Sequence, residues 1–144
     1  MGMVFTRSCR MSLTEFDSTL QRLGQVRFAL LRLHKALLDG ERIRYEQQHG
    51  RIRSNTEFFQ LVLENEWFAW LRPISQFIVQ IDEALSAKEP ITMDQAIDLL
   101  KQTRQLMHPS QTGSTLEQNY YQAIQRDADI AFIHAELTSM LSAS

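Results

Sequence analysis

Phe16, Leu20, Leu23, Val26, Leu30, Leu33 and Leu37 recur at intervals of three and four, which gathers apolar side chains on one face of a helix. The stripe predicts a first helix over 13–49, stopped by Gly50. Its other face reads Arg32, Lys35, Asp39, Arg42, Glu46 and His49, an alternating-sign ladder suited to solvent. The second helical region, 55–87, has two stripes. Phe58, Leu61 and Val62 come before Asn65; Trp67, Trp70, Leu71, Ile74, Phe77, Ile78, Ile81 and Leu85 come after it, about half a turn out of phase. A break is therefore expected at Asn65, a residue that caps helices well. Pro73 falls inside the following helix and predicts a kink there. Met93, Ala96, Ile97, Leu100 and Met107 mark a third helix over 93–107, ended ahead of Pro109. Leu116, Tyr120, Ile124, Ala131 and Leu141 mark a fourth over 115–142.

Capping boxes support these four segments. Ser12 with Glu15, Ser54 with Glu57, Thr92 with Gln95 and Ser114 with Glu117 each place a hydroxyl three residues ahead of a side chain able to reach back to the cap. Together they predict an all-α, up-down-up-down four-helix bundle with a long first helix and a broken, kinked second one. A disordered tail is expected over residues 1–11 and a single domain over 12–144.

The length of 144 residues suits one domain with a core that needs neither disulfide nor metal. Fifteen basic residues against 17 acidic ones give no field to draw the chain to nucleic acid or an anionic membrane, and neither partner is expected. The balance hides an asymmetry: residues 22–53 carry eight basic and three acidic side chains, residues 57–98 two and eight. Two adjacent helices of complementary charge explain it. One cysteine, Cys9, and no long apolar run predict a cytoplasmic protein.

No zinc-type cysteine spacing, phosphate-cradling glycine loop, nucleophile elbow or HExxH occurs, so no catalytic residue, metal or cofactor is expected. Glu46 and His49 form an ExxH, but a di-iron bundle needs two such motifs and two further carboxylates. The polar residues within apolar stripes are stronger candidates, because a buried ionic group must be paired or neutralised. An antiparallel register sets Arg27 beside Asp127 as a structural ion pair. The same register brings His34, Glu41 and Tyr45 toward Glu64, Trp67 and Trp70, a pocket or an internal hydrogen-bond network. Phe58 and Arg72 flank that region.

The runs Leu33-His34-Lys35-Ala36-Leu37-Leu38-Asp39 with Glu41 and Tyr45-Glu46, then Trp67-Phe68-Ala69-Trp70-Leu71-Arg72-Pro73 and Ile81-Asp82-Glu83, resemble a family of short bacterial all-helical proteins without an assigned activity. The resemblance implies a bacterial helical bundle and no particular site.

Helix lengths add one expectation. A first helix of about 37 residues outruns a third of about 15, leaving its end and the aromatics of 58–68 uncovered. A second subunit or a fold-back of residues 55–64 must cover them. The expected function is thus a non-enzymatic interaction module, self-associating as a homodimer or binding another protein. The alternative is a small-molecule- or metal-binding bundle with its polar pocket beside Trp67 and Trp70.

Overall fold

The computed structural model describes residues 2–142, with side chains from Thr14 onward; Ser12 and the whole tail expected over 1–11 lie outside the described side chains. Every regular element described is helical: α1 (Gly2–His49), α2 (Asn55–Glu64), a 3-10 segment (Glu66–Leu71), α3 (Arg72–Ser86), α4 (Met93–Leu106), α5 (Thr115–Arg126) and α6 (Ala128–Ser142).

The chain is organised on α1. Leu23, Val26, Leu30, Leu33 and Leu37 are at most 1% exposed, so the predicted stripe is the spine of the core. Against it pack α6, α4, α3 and the 3-10 segment, whereas α5 leans on α6 and the 3-10 segment. Helix α3 runs antiparallel to α1, since Asp82 near its end meets Arg27 while Phe68 ahead of its start meets Tyr45. Helix α6 is antiparallel to α1 as well: Glu136 reaches Arg32, and Arg126, just before α6, reaches Glu41.

Local chemistry explains the boundaries. Gly50 closes α1 with φ +87°, a value that disfavours a side chain, and its N–H bonds Glu46 O at 3.0 Å. Ser54 Oγ accepts from Glu57 N at 3.1 Å to open α2, but Glu57 turns back to Arg53 N rather than completing the box. Thr92 with Gln95 and Ser114 with Glu117 form both bonds of the motif. The break at Asn65 is present: its side-chain oxygen accepts from Trp67 N at 2.8 Å, so one residue ends α2 and starts the 3-10 turn.

Four expectations need correction. Pro73 does not kink a helix; it sits in the first turn of α3, where a missing N–H costs nothing and a fixed φ favours helix entry. The fourth helix is two, because Asp127 adopts an extended backbone and its carboxylate accepts from Asp129 N at 2.9 Å and Ile130 N at 3.5 Å. That N-cap shifts the buried stripe of α6 to Ile130, Ile133, Leu137 and Leu141. Ile97 and Leu85, assigned to inner faces, are 48% and 39% exposed; Leu99 fills the α4 position instead. Arg27 pairs with Asp82 of α3 and not with Asp127, because the register of α6 on α1 sets Asp127 beside Glu41, far along the helix from Arg27.

Candidate functional site

The chain reverses twice in the neighbourhood of the break, and this gathers the aromatic side chains at one end of α1. Tyr45 stacks on His49 with ring centroids 4.4 Å apart and meets Trp67 edge-on at 5.8 Å and Phe68 at 5.6 Å. Phe58 of α2 meets Phe68 at 5.8 Å, and the Arg42 guanidinium covers its ring at 4.5 Å. Helix α2 is thus folded back, and its inner residues Phe58, Leu61 and Val62 lie partly buried on the core. Arg72 fixes this arrangement from the start of α3: Nε donates to Val62 O at 3.0 Å and Nη2 to Asn65 O at 2.7 Å. These carbonyls lie at the C-terminal end of α2, where backbone acceptors lack intrahelical partners. Arg72 is therefore a tether, not a ligand group.

Beside the cluster lies a groove of about 850 Å³, lined by Glu41 and Arg44 of α1, by Glu66, Trp67, Ala69, Trp70 and Pro73, by Leu106 of α4, and by Ser114 to Leu116 and Asn119 at the start of α5. Glu41 is 5% exposed and is held by Arg44 Nη1 at 3.0 Å and Arg126 Nη2 at 3.5 Å. A carboxylate this buried is stable only with such partners. Burial, with Arg44 alongside, lowers the Arg126 pKa, while Glu41 and Asp127 oppose the shift. Arg44 also approaches the Trp67 ring at 5.8 Å. The indole Nε1 of Trp67 is buried without a hydrogen-bond acceptor, a condition that costs roughly 1–3 kcal/mol.

Of the residues the sequence singled out, the structure joins Glu41, Trp67 and Trp70 in the groove and Tyr45 and Phe58 in the adjoining aromatic cluster. It leaves two aside. Glu64 is exposed at the end of α2, and His34 lies outside the groove, half-buried, where loss of solvent lowers its pKa. Glu46 and His49 do not act as a pair: Glu46 Oε2 accepts from Ile52 N at 2.9 Å, and His49 Nδ1 faces Tyr45 O at 3.3 Å. Among the described residues no group of three or more His, Cys, Asp or Glu is arranged to hold a metal ion. No described helix is long and apolar enough to cross a membrane.

Sequence reasoning missed Arg44, Arg126 and the α5 edge. Arg44 was legible in principle, since it stands one helical turn after Glu41. Arg126 was not, because its approach depends on the chain break at Asp127. Chemically, the groove offers groups for recognition: the Glu41 and Glu66 carboxylates, the Arg44 guanidinium and two indoles. Its lining contains no histidine or cysteine, Ser114 Oγ is engaged by Glu117 N at 3.2 Å, and Glu41 is bound to arginine. No family model, no curated protein and no solved structure matches the chain.

Proposed function

We propose that the protein is a non-enzymatic helical interaction module that self-associates as a homodimer through α2 and the adjoining end of α1. One observation carries this reading. Helix α2 contains no buried residue, yet it presents Phe59 at 63% and Leu63 at 53% exposure, one turn apart on its outer face. Elsewhere, an exposed apolar residue such as Phe28 or Phe132 rides on a helix whose other face lies in the core. Helix α2 has the apolar content of a core helix with only part of the burial, the condition that association relieves. The scaffold we envisage is the up-down-up-down four-helix bundle, with α2–α3 and α5–α6 as its two broken legs, in a bacterial cytoplasm.

Light scattering over a concentration series tests the reading. The wild type should approach twice the chain mass, and Phe59→Asp should remain at the single-chain mass with unchanged helix content. A monomeric wild type at high micromolar concentration overturns the proposal.

A second reading, a bundle that binds a small molecule in the groove, is favoured by the unpaired Trp67 Nε1 beside an opening within the usual size of ligand sites, roughly 300–1,000 Å³. Native mass spectrometry of freshly purified protein should then show an adduct that Trp70→Ala loses.

A further inference from the structure

Past Pro73 and Leu106, which belong to both linings, the groove adjoins a second hollow of about 430 Å³ between α3 and α4. These helices each pack on α1, and the hollow follows the seam between them. Buried Phe77 forms its floor, and its rims are glutamines: Gln76 and Gln80, one turn apart on α3, with Gln102 and Gln105, neighbours on the surface of α4. Gln102 is engaged, donating from Nε2 to Asp98 Oδ2 at 2.6 Å. The side-chain amides of Gln76, Gln80 and Gln105 have no hydrogen-bond partner among the described residues. No charged residue lines this hollow, whereas Glu41, Arg44 and Glu66 all line the other. The two together form a trough with a tryptophan end and a neutral amide end.

We propose that this trough holds an extended peptide segment of a partner protein, with one large apolar side chain seated by Trp67, Trp70 and Leu116 and an uncharged stretch of main chain lying between the glutamines. The inference shares the groove with the second reading above and names a different occupant. It is independent of the dimer reading, because no residue of α2 lines either hollow. A carboxamide carries both donor hydrogens and an acceptor oxygen, as a peptide group does. Main chain that loses water on docking must find partners for both its N–H and its C=O, and unengaged glutamines on two sides supply both kinds. From Pro73 to Gln80, α3 advances about 10 Å, room for about three residues of extended chain. A charged ligand finds no counter-charge among the glutamines, and a compact one fills only one end. Trp70 is buried and Trp67 half-buried, so the indoles wall a pocket for a side chain rather than standing out as a flat platform. An apolar anchor in such a pocket supplies affinity, and main-chain hydrogen bonds fix the register of the segment.

The experiment selects phage-displayed peptides of random sequence on the full-length wild type, then measures the affinity of synthetic copies by calorimetry. Enriched peptides should share a large apolar residue next to an uncharged stretch. A variant carrying Gln76→Ala and Gln105→Ala should bind them at least about tenfold more weakly, through the loss of hydrogen bonds from both rims. Both positions are exposed, so its thermal midpoint should match that of wild type. Phe59→Asp should bind them as wild type does. Peptides that bind the glutamine variant as tightly as wild type, or that lose affinity with Phe59→Asp, overturn the proposal, since they sit elsewhere. If no peptide is enriched while wild type carries an adduct that Trp70→Ala loses, the small-molecule reading stands and the peptide is overturned. If neither peptide nor adduct is found, both fall.

Discussion

The chain on either side of Asn65 offers two helices of similar composition and opposite fate. Helix α2 has five apolar residues in ten and buries none of them fully, whereas α3 has seven in fifteen and buries Ile74, Phe77, Ile78 and Ile81. Composition therefore does not decide which one enters the core. What differs is arrangement: the α3 residues repeat through four turns toward α1, while α2 divides its apolar residues between an inner set, Phe58, Leu61 and Val62, and an outer pair, Phe59 and Leu63. Within the chain, the inner set meets the core and the outer pair faces solvent.

The sharpest way to break this contrast is to truncate on the buried side. Phe68→Ala, at a residue with no exposure, should lower stability by about 3–5 kcal/mol, read as a fall in the denaturation midpoint. A change near zero would mean that the 3-10 segment is not the anchor of the fold. Arg72→Ala comes next in size. It removes two hydrogen bonds to the end of α2 and should cost about 1–2 kcal/mol, with a red shift of tryptophan emission as Trp67 gains solvent. An unaltered spectrum would show that α2 is held by its apolar contacts alone.

A smaller effect concerns the α1 and α6 side of the molecule. Burial lowers the pKa of His34; it also lowers that of His134, to which a nearby His108 adds, and His134 Nδ1 lies 2.7 Å from the Tyr120 hydroxyl. Desolvation raises the Tyr120 pKa, so that the hydroxyl stays protonated and shares a hydrogen bond with the imidazole Nδ1. Between the depressed folded values and 6.5, the ordinary histidine value, the unfolded chain binds more protons than the native one. Stability is thus fully present above about pH 6.5 and is lost as pH falls through the folded values. Thermal midpoints measured from pH 7.5 down to 5 should decline, and His134→Gln with His34→Gln should flatten the decline. The smallest effect belongs to the outer face: Phe59→Ala should alter the stability of the monomer by no more than about 0.5 kcal/mol, since it empties no cavity.

Much of the helical plan could be read without coordinates because it rests on local rules. The α1 stripe, the break at Asn65, and the caps at Ser54, Thr92 and Ser114 all depend on residues within a few positions of one another. Asp127 escaped for an instructive reason. The stripe continuing from Tyr120 to Leu141 suggests one helix, and the register assumed for it assigns the carboxylate to Arg27. The two errors have separate sources: one missed the break, and the other misjudged the register, which sets Asp127 beside Gly40 and Glu41 of α1. Arg126 accordingly reaches Glu41, while Arg27 pairs with Asp82 of α3. The groove was legible only in part for the first of these reasons. Glu41 and the tryptophans were visible on their own helices, whereas the α5 edge that completes the lining depends on how the last two helices fold against each other.

The short connection after Gly50 carries one more consequence. Ile52 is 4% exposed, and its N–H is held by Glu46, so the chain is nailed down immediately before α2, just as Arg72 holds it immediately after. Between those two fixings lies a helix that contributes little to the core. Such a segment can melt and re-form on its own while the rest of the molecule stays folded. Its amide protons would then exchange with solvent through small local openings, insensitive to mild denaturant, while those of α1 and α3 would exchange only with global unfolding. The protein would thus have two levels of stability along one chain, and occupancy of the outer face of α2 would raise the lower level toward the higher.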